Sequence, residues 1–203
     1  MMSLLIALIC MLPPHDVPDG GIAALRDSAD SVLFAATTRA DSLQALKMMG
    51  HAASAGDVEA EYRLGLYFRR GIAARPNPKE EAYWMRKAAS NGHPEAQLEI
   101  GRMFAEGRGV LPDRRIAAEW IWRAASAGVA AAQYEYAVIL RDGIGIDPNP
   151  EQARLWFERA ADQDYLDART QAAMLPVGKS KIAAGSLKNQ QARKSGQTHK
   201  RRR

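Results

Sequence analysis

Residues 96–110 read Ala-Gln-Leu-Glu-Ile-Gly-Arg-Met-Phe-Ala-Glu-Gly-Arg-Gly-Val. Ala96, Ile100 and Phe104 are one helical turn apart and share a face, with the small Gly101 beside them. Gly107 then stops the helix at a position where a left-handed residue suits a C-cap. Asp113 follows as an N-cap, and the next segment carries Trp120 and the pair Ala124-Ala125 before Gly128 closes it.

Shifting the chain by 36 residues repeats this pattern in both directions. Ala60, Ala96, Ala132 and Ala168 form one column, Gly71, Gly107 and Gly143 a second, and Trp84, Trp120 and Trp156 a third. Asn77, Asp113 and Asn149 share the cap column; Pro78 and Pro150 occupy the first helical position, where a missing N–H costs nothing. Glu80 and Gln152 are placed to complete capping boxes with Asn77 and Asn149. The spacing predicts helices near 58–70, 78–90, 94–106, 114–126, 130–142 and 150–162. One hairpin cannot bury its own apolar face, so the units must stack. The tryptophans, Trp120 of the middle unit included, are expected between hairpins. One period earlier, Asp41 falls on the cap column, Gln44 on the box column, and Met48 replaces the tryptophan.

The chain thus reads as all-α: an apolar N-terminal segment and linker at 1–23, a solenoid at 24–175 and a tail at 176–203. Within the solenoid lie a degenerate cap (24–59), full repeats at 60–95, 96–131 and 132–167, and a half repeat at 168–175. The pattern A-x-x-x-L-G-x-x-[FY]-x-x-G-x-G-V, then A-x-x-W-x-x-[KR]-A-A-x-x-G, resembles the Sel-one-like repeat of the tetratricopeptide superfamily. That resemblance implies a right-handed α/α superhelix used for protein–protein contacts, often in bacterial envelope regulation, motility, secretion or host interaction. A secreted cysteine-rich subfamily carries a disulfide in each repeat; this chain has a single cysteine, Cys10.

Charge divides the chain. Nine of the 28 lysines and arginines fall in 176–203, which holds no acidic residue, so the other 19 face 23 acidic residues and the body carries a net −4. A tail this polar and basic, ending in Lys200, Arg201, Arg202 and Arg203, is expected to be disordered. It suits an anionic membrane, nucleic acid or an acidic protein, or serves only for solubility. Met1–Leu12 is too short to span a bilayer and matches the apolar region of a signal peptide, though no basic residue precedes it. The export reading places the protein in the periplasm or outside the cell; a cytoplasmic chain with an apolar N-terminal helix is the alternative.

Chemistry is sparse. Gly178-Lys179-Ser180 lacks the earlier glycine and the strand of a phosphate-binding loop. The four histidines make no zinc-binding set, and no serine nucleophile motif occurs. Glu80-Glu81 and Glu95/Glu99 lie at helix starts, where carboxylates complement the helix dipole. No catalytic residue, metal, cofactor or small-molecule substrate is expected; a hydrolase-type enzyme is the minor alternative. Specificity in a repeat scaffold rests on variable positions. On the first helices these are Tyr62, Leu66 and Arg69, then Leu98, Arg102 and Ala105, then Tyr134, Val138 and Arg141. They are expected on one concave groove, with tyrosines as anchors and arginines free for a partner's carboxylates. A merely solvated helix face is the bland alternative. Trp122 has no aromatic counterpart in its column and is a separate anchor candidate, or a filler of a local packing gap.

Overall fold

The computed structural model describes residues 21–73 and 75–176. The segment Met1–Leu12 and the basic cluster Lys200, Arg201, Arg202 and Arg203 lie outside the described residues, and the readings placed on them with them. Among the described residues there are helices and no strands. They are α1 (Gly21–Ala35), α2 (Arg39–Ser54), α3 (Val58–Arg70), α4 (Pro78–Ser90), α5 (Pro94–Glu106), α6 (Arg114–Ser126), α7 (Ala130–Asp142), α8 (Pro150–Ala161) and α9 (Ala168–Ala173). Each helix packs mainly on the one before it and the one after it, the one-dimensional arrangement of a solenoid.

Local chemistry sets the boundaries. Gly71, Gly107 and Gly143 end α3, α5 and α7 in the left-handed region, at φ of 70°, 73° and 69°. Asn77 and Asp113 cap α4 and α6 by accepting two backbone N–H groups each, and Asn149 caps α8. The expected capping boxes at Asn77 and Asn149 do not form. The amides that Glu80 and Gln152 would reach are already bonded to the preceding helix, Asn77 N to Phe68 O (3.0 Å) and Asn149 N to Leu140 O (2.7 Å). A capping box does occur at α2, one turn earlier than the period places it. Thr38 is the cap there and Asp41 the reciprocal partner, because the two bond each other's backbone.

Ala60, Leu64 and Phe68 are buried, as are Ala96, Ile100, Ala132 and Leu140, while Phe104 and Tyr136 are only partly covered. The small columns mark close approach: a Cβ on Gly65 would lie 2.9 Å from Met85 Cε, and one on Gly101 2.6 Å from Ile121 Cγ1. The tryptophan column is not uniform, and the expected burial of Trp120 is overturned. Trp84 and Trp156 are 3% and 8% exposed, whereas Trp120 is half-buried, with the Arg123 guanidinium 4.7 Å over its ring. Tyr83 edges Trp84 and Tyr136 edges Trp156. The register equivalents beside Trp120 are Glu119, exposed and paired with Arg123, and the smaller Ile100. Trp84→Ala should therefore cost about 3–5 kcal/mol and Trp120→Ala clearly less. Equal urea-unfolding losses would contradict this ranking.

Glu80 is nearly sealed, and burial raises its pKa above the ordinary carboxylate value. A carboxyl whose pKa is raised by folding stabilises the fold most when protonated. That contribution is full below the unfolded-state pKa and is lost as pH rises through the window just above it. Glu80→Gln should accordingly raise the melting temperature at pH 7 and leave it unchanged in the acid range. A melting temperature lowered by the substitution at pH 7 would show that the carboxylate is a favourable partner there.

Candidate interaction surface

The first helices of the hairpins, α1, α3, α5, α7 and α9, are tied to one another by side chains alone. Asp30 on α1 accepts from Tyr67 Oη (2.6 Å) and pairs with Arg63, both on α3. Arg69 on α3 reaches Glu99 on α5; Arg102 Nε on α5 donates to Glu135 Oε1 on α7 (2.9 Å). Tyr134 Oη on α7 donates to Asp167 before α9, and Arg141 Nη1 donates to Gln171 on α9, each at 2.9 Å. The result is one continuous ladder of charge-assisted contacts along the first-helix face.

This changes the roles expected of the arginines. Arg69, Arg102 and Arg141 lie on the face, but their guanidinium groups are occupied internally rather than left free for a partner's carboxylates. Glu135 holds the Arg102 guanidinium above its ordinary pKa, against the opposing effect of burial. The carboxylates Glu81 and Glu99 do not merely answer a helix dipole. Glu81 is 2% exposed and bridges two guanidiniums, Arg69 Nε (2.6 Å) and Arg108 Nη1.

The aromatic column is similarly engaged. Tyr62 is half-buried and stacks on His93 at 4.3 Å; burial first, and then Glu99 and Glu95, push its hydroxyl pKa up. His93 caps α5 by accepting from Ala96 N at Nδ1, and its Nε2 lies 3.1 Å from Glu59 Oε2. Tyr134 packs edge-on against Phe157. Leu98, placed in the same column, is 5% exposed and belongs to the core with Ala118 and Ile121. Its shorter side chain stays beneath α7 where the tyrosine rings extend outward, so it does not line an open groove. Leu66 and Val138 are half-covered at the edge of the core.

Between the second and third repeats the face opens into a hollow of about 400 Å³, lined mainly by apolar side chains. Its origin is visible in register. The triad Arg69–Glu81–Arg108 fills the previous seam; 36 residues on, the same positions are Ala105, Ala117 and Ile144. All three line the hollow, with Val138, Glu106 and Glu135 among their neighbours. Three columns exchange polarity together from one repeat to the next, a signal present in the sequence but not drawn from it. Trp122 is 45% exposed and sits away from this face, in a second hollow of about 480 Å³ with Ile116, Tyr136 and Ile146. Among the described residues no group of three or more His, Cys, Asp or Glu side chains is placed to hold a metal ion.

The model of the Sel1 repeat matches residues 58–93, 94–129 and 130–165, more than half of the chain, each match starting at the first residue of α3, α5 or α7. The chain belongs to the Sel1 repeat family. No curated protein matches it. Among solved structures, a Sel1 repeat protein from Oxalobacter formigenes is 35% identical at a TM-score of 0.58, over 62% of this chain and 94% of that one. The protein c5321, a protective antigen present in uropathogenic Escherichia coli strains and displaying the same fold, is 30% identical at a TM-score of 0.68. That match covers 73% of this chain but only 32% of c5321, so this chain spans about a third of that protein's length. Sel1 repeat proteins are in general scaffolds for protein–protein contacts and typically non-catalytic.

Proposed function

We propose that this Sel1 repeat chain is a non-enzymatic adaptor that holds an extended or helical partner segment along its first-helix face, the concave side expected of such a solenoid. The observation that carries the reading is the hollow at Ala105, Ala117 and Ile144, an apolar recess set in a face otherwise braced by ion pairs. A braced surface loses little conformational freedom on binding, and an apolar recess takes one anchor side chain of the partner. Tyr62 and Tyr134 frame the same face, but both also support the fold, so their removal is a poor probe.

Ala105 is the better probe, being exposed and occupying a column that holds arginine in both flanking repeats. Ala105→Arg in the intact chain should fill the hollow and weaken capture of the partner at least about tenfold, a hot-spot loss. Leu155→Arg on the exposed side of α8 should leave capture unchanged. Equal capture by all three chains would exclude the face as the binding surface and favour the basic tail as the binding element. We further propose, from the apolar segment Met1–Leu12, that the protein is exported to the periplasm or secreted. Residues 1–30 fused to a reporter active only after export should give signal, and a silent reporter would assign the chain to the cytoplasm.

A further inference from the structure

The loops that follow α3, α5 and α7 join the two helices of each hairpin and form one continuous edge of the solenoid. Gly109 in the second loop presses on Pro78 at the end of the first, and Gly145 in the third presses on Arg114 at the end of the second. We infer that this edge pairs with the same edge of a second copy of the chain, antiparallel about a two-fold axis. The first repeat of each copy then lies over the third repeat of the other.

The order of charges along the edge carries the inference. Arg70 becomes Glu106 and then Asp142 at successive repeats; Arg75 becomes Leu111 and then Asp147; Lys79 becomes Arg115 and then Glu151. All nine side chains are exposed. Three columns thus run from cation to anion together, and the remaining charges of the edge do not undo this. In the first loop the only carboxylate is Glu80, which is nearly sealed. The second loop is mixed: Arg108 turns inward to Glu81 and holds Glu106, Asp113 caps α6, and Arg114 and Arg115 are exposed. In the third, Arg141 neutralises Asp142, and no cation occurs from 142 to 152. Among the described residues Arg70, Arg75 and Lys79 at one end, and Asp147 and Glu151 at the other, are in no ion pair.

A parallel pairing of two such edges sets like charges together, whereas the antiparallel one matches opposite charges at both ends. Its axis meets the second repeat, where Leu111 is 88% exposed and faces its own copy. The cationic end is also recessed. Arg39 and Arg75 flank a hollow of about 460 Å³ with Ser42, Gly71 and Ala73, and its described lining contains no carboxylate. Arg39 Nε donates to Ala73 O (3.1 Å), while Asp41 in the same turn of α2 is taken by the amides of Thr37 and Thr38. The hollow thus receives Asp147 or Glu151 of the second copy. Exposed ion pairs contribute little each, so the dimer is weak and salt-sensitive.

Neither the first-helix face nor its partner enters the test, which is sedimentation of the intact chain. In about 50 mM salt the unmodified protein should dimerise by about 100 μM, and its dissociation constant should rise at least about tenfold in about 500 mM salt. Arg75→Glu with Lys79→Glu leaves both ends of the edge anionic, and Asp147→Lys with Glu151→Lys leaves both cationic. Each double variant should be a monomer alone, and the two mixed should form a heterodimer, which also shows that both are folded. A chain monomeric at low salt up to that concentration would overturn the inference, as would a dimer that both reversals leave intact. Association lost on reversing Asp147 and Glu151 but kept on reversing Arg75 and Lys79 would overturn it too, by assigning the anionic end to the basic tail.

Discussion

Replacing Gly109 with alanine is expected to destabilise the protein by about 4 kcal/mol, combining left-handed strain with severe overpacking. Gly109 has φ of +75°, and a Cβ there would sit 1.9 Å from the carbonyl oxygen of Pro78, at the start of α4. The loop after α5 thus presses on the first turn of the previous repeat's second helix, and neither side is a flexible side-chain tip. Gly145 repeats the contact against Arg114 O at 2.5 Å and should behave alike. Gly128, at φ of +97° with nothing near its missing Cβ, isolates the strain alone and should cost roughly 1–3 kcal/mol. Ala73 holds the same column one repeat earlier at φ of 61°. There the register partner of Pro78 is Ser42, already inside α2, which begins a turn sooner at Arg39. Urea titrations of the Gly109→Ala and Gly128→Ala variants measure the difference; equal midpoints would refute the seam contact.

Glu81→Ala should cost about 3 kcal/mol, the lower end for breaking a buried ion pair, because Arg69 and Arg108 keep partial access to water. The deletion leaves two facing guanidiniums that share only Glu99, whose Oε2 stands 3.9 Å from Arg108 Nη2. The triple change Arg69→Ala, Glu81→Ala, Arg108→Ile copies the next seam, which is folded with Ala105, Ala117 and Ile144 in those positions. It should therefore recover most of the loss, and the single mutant alone should gain stability on addition of salt. Thermal unfolding of the two variants decides the matter. A triple variant as unstable as Glu81→Ala would mean that the seams are not interchangeable.

The architecture was legible because period 36 compares like with like. Glycine, cap and alanine columns each report one position in a repeated hairpin, and α3 to α8 begin where the period places them. Contacts between hairpins do not follow that period. Arg69 meets Glu99, Arg102 meets Glu135 and Tyr134 meets Asp167, separations of 30 and 33 residues. An alignment of columns stacks Arg69 over Ala105 and never over Glu99, so arginines that looked free turned out to be paired. Leu98 and Trp120 were misjudged for the related reason that burial depends on the neighbouring repeat's residue. Beneath α7 a leucine is covered where a tyrosine is not, and beside Trp120 no ring replaces Tyr83 or Tyr136. The hollow itself is a difference between two seams, visible only once Arg69, Glu81 and Arg108 are known to touch.

The central claim is that partners are held on the first-helix face at the seam between the second and third repeats. A photo-crosslinking amino acid at Ala105, compared with one at Leu155, tests it directly in the intact protein. The expected result is crosslinking from position 105 and none from 155. Adducts from position 155 as abundant as those from 105 would contradict the assignment of the first-helix face.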